Sequence, residues 1–144
     1  MSGASAVIRY GYNLGGGDGR YWDILDVPNG TVPPTPWIEN RHENFGVPEY
    51  MIEAEIKLQG TGVALRANDY TDDIDYSTGD YFLFLSAYEF RASENESSKR
   101  LDLSAMDYIR KVEELDLKLE MALDRLGISP SLDAGWFVTA ASGE

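Results

Sequence analysis

The chain has no cysteine and a single histidine among its 144 residues. The lack of cysteine excludes disulfide bonds, a thiol nucleophile, an iron–sulfur cluster and a thiolate zinc site. One histidine, His42, cannot build a histidine-rich metal site, and there is no GxSxG motif to indicate a serine hydrolase. We therefore predict a non-enzymatic protein without catalytic residues, a metal or a cofactor.

Basic residues are also scarce. The chain has 12 Lys and Arg residues against 25 Asp and Glu residues, which gives a formal net charge of −13 at pH 7. A protein with this charge is repelled by nucleic-acid phosphates and by anionic membranes. The composition therefore predicts no direct nucleic-acid binding and no membrane binding, and it leaves three roles for the charge: a basic protein partner, a bound cation or simple solubility.

Long apolar runs are absent as well. Residues 1–20 contain only the short apolar stretch 6–8 before Arg9, which is too short for the core of a signal peptide. No apolar run approaches the ~20 residues that a membrane-spanning helix needs. From these features we expect a cytoplasmic protein.

What the sequence does contain is the alternation and turn chemistry of a small α+β domain. Its length suits one domain, since domains usually hold ~100–200 residues. Residues 6–14 and 20–27 are rich in aromatic and β-branched side chains, and the glycine-rich segment 15–19 between them favours a hairpin turn. Residues 28–46 follow as an irregular, proline-rich connection.

The middle of the chain predicts one ambiguous element and two strands. In residues 48–59, alternating apolar side chains favour a strand, whereas Pro48 at the start and Gly60 after the end favour a helix. We prefer the helix, and the strand stays open as the alternative. Residues 62–67 and 80–91 predict two strands.

The longest predicted element is a helix over residues 104–126. Ser104 and Asp107 match a capping box, and Gly127 suits the position just after a helix. After a loop, residues 135–140 predict a closing strand. The apolar residues of the helix recur every three or four positions and form one stripe: Met106, Ile109, Val112, Leu115, Leu119, Leu123 and Leu126.

The predicted element order is β-β-α-β-β-α-β in a single domain spanning residues 1–144. Strands joined by short turns pair antiparallel, so we expect a largely antiparallel sheet of four to five strands. Two helices would pack on one face of this sheet, because an amphipathic helix buries its apolar stripe against a neighbouring layer. The predicted fold class is therefore α+β.

Three segments together resemble a known family. They are residues 10–16 (YGYNLGG), residues 79–81 (GDY), and residues 126–130 (LGISP) followed by Trp136. In this order and spacing they resemble a family of small uncharacterised proteins encoded by actinobacteria and their phages. The resemblance touches both ends and the middle of the chain. It implies a shared fold and an actinobacterial or phage setting, and it implies no known activity.

Acidic residues concentrate in the middle of the chain. Residues 39–96 hold 13 acidic and four basic residues, a net charge of −9. An EF-hand pattern that starts at Asp73 fails, because Thr78 occupies the glycine position and Phe84 the closing glutamate position. The simplest interpretation of the acidic segment is a solvated loop. Its functional interpretation is a docking surface for a basic protein, formed by Asp69, Tyr70, Asp72, Asp73, Asp75, Tyr76 and Asp80.

From this charge distribution we predict an acidic protein-interaction module, an actinobacterial or phage accessory factor that binds a basic cytoplasmic partner. Three alternatives stay open. The protein could be a nucleic-acid mimic that blocks a DNA-binding protein, an enzyme built from carboxylates, or a small component of a virion or of its assembly.

Overall fold

The computed structural model describes residues 4–16, 21–28, 49–68, 82–93 and 101–142. Within these ranges the chain forms, in order, β1 (Ala4–Gly16), β2 (Tyr21–Trp22), α1 (Glu49–Lys57), β3 (Ala64–Asn68), β4 (Phe82–Ser93), α2 (Leu103–Val112), α3 (Leu115–Leu126) and β5 (Gly135–Ser142). None of the helices in these ranges combines the length and the apolar character needed to cross a membrane. The predicted α+β class is confirmed.

The sheet is antiparallel and is built around β1. One edge of β1 pairs with β4, and the opposite edge pairs first with β5 and then, at Gly15 and Gly16, with β2. β3 pairs with the far edge of β4. Among the described residues, β3 therefore forms one edge of the sheet and β5 the other.

The apolar core lies between one face of this sheet and the helices. Successive side chains of a strand point to opposite faces, and on the helix-facing side β1 contributes Tyr10 and Leu14 while β4 contributes Leu83 and Leu85. Fully burying an apolar side chain of this size stabilises the fold by about 1.5–3 kcal/mol. The helices and the residue just after α1 contribute to the same core; these residues are Ala54, Leu58, Leu115, Leu119, Ala122 and Leu126.

The single long helix predicted over residues 104–126 is wrong, because the chain breaks into α2 and α3 in the middle. Glu114 adopts a left-handed conformation with φ 52° and ψ 48°. One left-handed residue redirects the helix axis, so Leu115 is buried whereas Val112, two residues before the break, is exposed. Within the described residues the sheet therefore carries three helices instead of the two predicted.

The predicted capping box at Ser104 is also wrong. The residue that caps α2 is Asp102, whose carboxylate accepts a hydrogen bond from the backbone N–H of Ala105 at 3.1 Å. Asp is as good an N-cap residue as Ser, and the cap two residues earlier lets Leu103 and Ser104 join the first turn.

The hairpin of β1 and β2 is confirmed, but its second strand is much shorter than the predicted 20–27. The backbone N–H of Asp23 still bonds to the carbonyl of Leu14 at 2.8 Å, and the next residue, Ile24, instead bridges to Pro130. After Asp23 the chain therefore leaves the sheet and pairs with residues 129–130 instead.

The other predicted elements are confirmed with shifted ends. Within the segment 48–59, residues Glu49–Lys57 form the helix α1 rather than the alternative strand, and the strands predicted at 62–67, 80–91 and 135–140 correspond to β3, β4 and β5. Most of the proline-rich connection predicted at 28–46 lies outside the described residues.

Candidate functional site: an acidic groove beside α3

The acidic docking surface predicted from the sequence lies outside the described residues. This applies to all seven of its residues: Asp69, Tyr70, Asp72, Asp73, Asp75, Tyr76 and Asp80. His42 lies outside them as well. The described part of the chain brings a different set of acidic residues together, beside the second half of α3.

The end of α3 shapes this site. Gly127 ends the helix with φ 70°, and its backbone N–H bonds to the carbonyl of Leu123 at 2.8 Å. The chain after it runs beside the segment that follows β2, because Leu25 N–H bonds to the Ser129 carbonyl at 2.8 Å. A second bond of 2.9 Å joins Ser131 N–H to the Asp23 carbonyl. Two backbone segments distant in sequence thus form a wall beside the helix.

An open groove of about 600 Å³ lies between α3 and this wall. Leu117 and Met121 line it and remain 52% and 41% exposed. Residues four apart share one face of a helix, so these two apolar side chains lie one above the other. The complete lining is Leu117, Glu120, Met121, Leu123, Asp124, Gly127, Ile128 and Ser129.

A smaller cavity of about 210 Å³ continues the groove. The two share Gly127, Ile128 and Ser129, and the smaller one adds residues 24–27. We call the combined feature the acidic groove. Its charged lining residues in the described chain are Glu120, Asp124 and Asp26, all of them acidic.

The nearby base on α3 does not neutralise the acidic groove. Arg125 donates from Nη1 to the carbonyl of Gln59 at 2.8 Å and to that of Lys57 at 3.4 Å. These carbonyls lie at and just after the C-terminal end of α1, where the helix dipole favours a cation. The Arg125 side chain therefore ties α3 to α1 instead of lining the acidic groove.

Two other charged clusters in the described chain are tied into the fold. On the sheet face opposite the helices, Glu89 accepts hydrogen bonds from Arg9 at 2.9 Å and from Arg66 at 3.0 Å. Burial alone would raise the pKa of Glu89, but the hydrogen bonds and charges of the two guanidinium groups outweigh it and lower the pKa below the usual 4.5. Glu89 is therefore held as a carboxylate, and its arrangement is that of a structural ion pair.

The second cluster joins β1 to the start of α3. Burial, followed by the hydrogen bond to Asp116, raises the pKa of Tyr10 from 10.0 to about 12. Asp116 also accepts from Arg110, and the Tyr10 ring lies 5.0 Å from the ring of Trp136. In the described part of the chain, no three His, Asp or Glu residues are placed to hold a metal ion.

Sequence reasoning missed the acidic groove, although part of its signal was present. Leu117 and Met121 lie outside the apolar stripe predicted for residues 104–126. Each directly follows an acidic residue, Asp116 and Glu120 respectively. A contiguous exposed apolar patch with polar residues at its rim is a sign of a binding surface. Asp26 could not have been added, because its position beside α3 depends on backbone pairing across about a hundred residues of sequence.

No protein-family model, no curated protein and no solved structure matches the chain. Function is therefore inferred from the acidic groove and from the charge of the protein around it.

Proposed function

We propose that this protein is a non-enzymatic interaction module that binds a basic, amphipathic segment of a partner protein in the acidic groove. The observation that carries the proposal is the placement of two exposed apolar side chains, Leu117 and Met121, in one groove with Glu120 and Asp124. A helix with apolar residues on one side and Lys or Arg beside them would match both features.

The apolar residues would supply most of the affinity. An amphipathic helix in a groove is anchored by apolar residues at helical spacing, and burying apolar surface contributes roughly 25 cal/mol per Å². An exposed ion pair contributes only about 0.2–1 kcal/mol. The carboxylates of the groove would therefore select a basic segment and orient it more than they would tighten its binding.

The charge of the whole protein supports the same partner. A net charge of −13 attracts cationic proteins over distances of about a Debye length, roughly 8–10 Å at physiological salt. Asp69, Asp72, Asp73, Asp75 and Asp80 would add to this attraction wherever they lie. The cytoplasmic location and the actinobacterial or phage setting remain parts of the proposal, supported by the composition and by the family resemblance.

The direct test measures binding of a fluorescein-labelled helical peptide of Leu and Lys residues, with the leucines on one face. We expect Asp26→Asn, Glu120→Gln and Asp124→Asn together to weaken binding about tenfold at low salt. Asn is suitable at position 26, because Asp26 has φ 65° and Asn tolerates this left-handed region. Leu117→Ser with Met121→Ser should weaken binding at low and high salt alike.

A matched control removes the same charge elsewhere. Asp107→Asn, Glu113→Gln and Asp133→Asn neutralise three exposed carboxylates that line neither the acidic groove nor the cavity between α1 and β3. This triple variant should bind the peptide within about twofold of the unchanged protein, since only long-range attraction is reduced. If it loses as much affinity as the groove variant, total charge rather than the groove determines binding and the proposal is wrong.

A further inference from the structure

A separate cavity of about 470 Å³ lies between α1 and the edge strand β3. Both Leu65 and Arg66 line it. Successive side chains of a strand point to opposite faces of the sheet, so a cavity over one face would be lined by only one of these two. The cavity therefore runs along the edge of β3, where the backbone itself forms a wall.

The edge of β3 offers backbone hydrogen-bonding groups to this cavity. Within the described residues β3 pairs with β4 on one side only. The opposite edge of such a strand presents N–H and C=O groups that can pair with another extended chain. Recognition of this kind takes affinity from backbone hydrogen bonds and specificity from pockets for alternate side chains.

A rigid turn at residues 60–62 forms one end of the cavity. Gly60 and Gly62, with φ 83° and 78°, turn the chain from α1 into β3. Between them Thr61 is buried, and its hydroxyl donates to the carbonyl of Leu58 at 2.6 Å and accepts from the backbone N–H of Val63 at 3.1 Å. A turn locked in this way needs little ordering when a ligand binds, which favours affinity.

The two sides of the cavity have distinct chemistry. On the helix side, Met51, Leu58 and Leu65 form an apolar floor, and the exposed carboxylate of Glu55 lines the same cavity. On the other side, Arg66 is 48% exposed and already bonds to Glu89 at 3.0 Å. The helix side thus accepts an apolar side chain together with a cation, and the Arg66 side accepts a polar residue.

We propose that the edge of β3 is a second binding site, which takes an extended polypeptide of a partner with an apolar residue and a Lys or Arg two positions apart. Residues two apart in an extended chain share one face and lie ~7 Å from each other. The apolar residue enters between Met51, Leu58 and Leu65 while the basic residue meets Glu55. A cationic ligand also agrees with the net charge of −13.

The test selects random peptides of roughly seven residues, long enough to pair along a strand, from a phage-displayed library on the full chain. The expected consensus is an apolar residue, any residue, and Lys or Arg. The best peptide is then synthesised. Met51→Trp, which fills the cavity, should weaken its binding at least about tenfold. Ile56→Trp is the control, because Ile56 is exposed on the same helix and does not line the cavity.

Two further measurements identify the binding mode. Glu55→Gln, a surface change that leaves the cavity intact, should weaken binding about threefold and reduce its salt dependence. Amide exchange at alternate residues of β3 should slow at least about tenfold with the peptide bound. If no sequence is enriched, if Met51→Trp binds as well as the unchanged protein while keeping its melting temperature, or if β3 exchange does not change, the proposal is overturned.

The same peptide separates this site from the acidic groove. The Asp26→Asn, Glu120→Gln, Asp124→Asn variant should bind it unchanged, since none of these residues lines the cavity at β3. Loss of binding in that variant alone would place the peptide in the acidic groove. The β3 proposal would then be wrong, and the proposed function would be supported.

Discussion

The phenolic oxygen of Tyr10 donates a hydrogen bond to Oδ1 of Asp116 across 2.6 Å. It connects a buried residue in the middle of β1 to the first turn of α3. The other carboxylate oxygen accepts from Arg110 of α2 at 2.9 Å, and the Arg110 guanidinium lies 5.2 Å from the centre of the Tyr10 ring. One carboxylate thus holds β1, α2 and α3 together at the helix break, one residue before Leu117 of the acidic groove.

Replacing Tyr10 by Phe tests the stability that this hydrogen bond provides. The substitution keeps the buried ring and removes only the hydroxyl, so we expect the free energy of unfolding to fall by about 1–2 kcal/mol. Urea denaturation at neutral pH measures the change. Tyr12→Phe is the control, because Tyr12 is half-buried and is not joined to Asp116 by a hydrogen bond; a loss equal to that of Tyr10→Phe would contradict the assignment.

The raised pKa of Tyr10 predicts a loss of stability at alkaline pH. The folded protein holds the Tyr10 proton more tightly than the unfolded chain, with a pKa of about 12 against 10.0. The contribution is therefore fully present below pH 10 and is lost as the pH rises toward 12, by about 2–3 kcal/mol in total.

Unfolding measurements from neutral pH to above pH 10 check this prediction. The Tyr10→Phe variant has no group to ionise at this position, so its stability should fall less steeply than that of the unchanged protein. The difference between the two should shrink as the pH rises. Parallel curves would show that Tyr10 does not contribute to the alkaline loss.

The ion pairs of Glu89 predict a loss of folding stability at acidic pH. Its carboxylate meets the Arg9 side chain, which is only 9% exposed, so Glu89→Gln leaves a buried cation without its counter-charge. We expect a loss of about 2–3 kcal/mol at pH 7. Because the pKa of Glu89 is lowered, its contribution is present above the usual 4.5 and is lost as the pH falls through the folded value.

The partner Arg66 provides the comparison for Glu89. Its side chain is 48% exposed, and an exposed ion pair contributes at most about 1 kcal/mol. Arg66→Gln should therefore cost less than half as much as Glu89→Gln in thermal and urea unfolding. Equal losses would show that the buried guanidinium of Arg9 is not the reason for the effect.

The parts of the fold that follow from local pattern could be predicted from the sequence. The strand over residues 62–67 follows from local pattern, because its alternate apolar residues Val63, Leu65 and Ala67 pack on the core. Gly60 predicts the end of α1 three residues after its last residue, Lys57. The break at Glu114 could not be predicted. Glu is not a residue that favours the left-handed region. The hydrogen bonds of Asp116, which follows the break, go to Arg110 in α2 and to Tyr10 in the distant strand β1, and the local sequence does not show these partners.

The candidate site divides in the same way. The acidic character of the site could be predicted, because Asp and Glu outnumber Lys and Arg in the composition. The geometry of the site could not be predicted, because Ile24 leaves the predicted second strand and bridges to Pro130 beside α3. The cavity at β3 was equally hidden, since which strand forms an edge depends on the pairing order of the whole sheet.

Gly11 is predicted to be the least replaceable glycine of β1. A Cβ atom there would overlap the carbonyl oxygen of Leu85 on the neighbouring strand, at the irregularity where Gly11 pairs with Ser86. Gly11→Ala should cost about 3 kcal/mol or more, since the strands must separate to accept it. Gly135→Ala is the control, because the nearest atom to its Cβ would be Cε2 of Phe137 at 3.7 Å. Comparable melting temperatures for the two variants would contradict the prediction.

Replacing Glu114 by glycine should stabilise the folded protein. Glu114 has a left-handed conformation, which costs a residue with a Cβ about 1–2 kcal/mol. Glycine removes this strain at the expense of a more flexible unfolded chain, so Glu114→Gly is expected to gain about 0.5–1 kcal/mol. The adjacent Glu113 has φ −83°, where glycine brings no relief. Glu113→Gly should therefore destabilise the protein by about 0.5–1 kcal/mol. Opposite signs in urea unfolding would show that the left-handed conformation of Glu114 is strained, whereas a loss of stability in both variants would show that it is not.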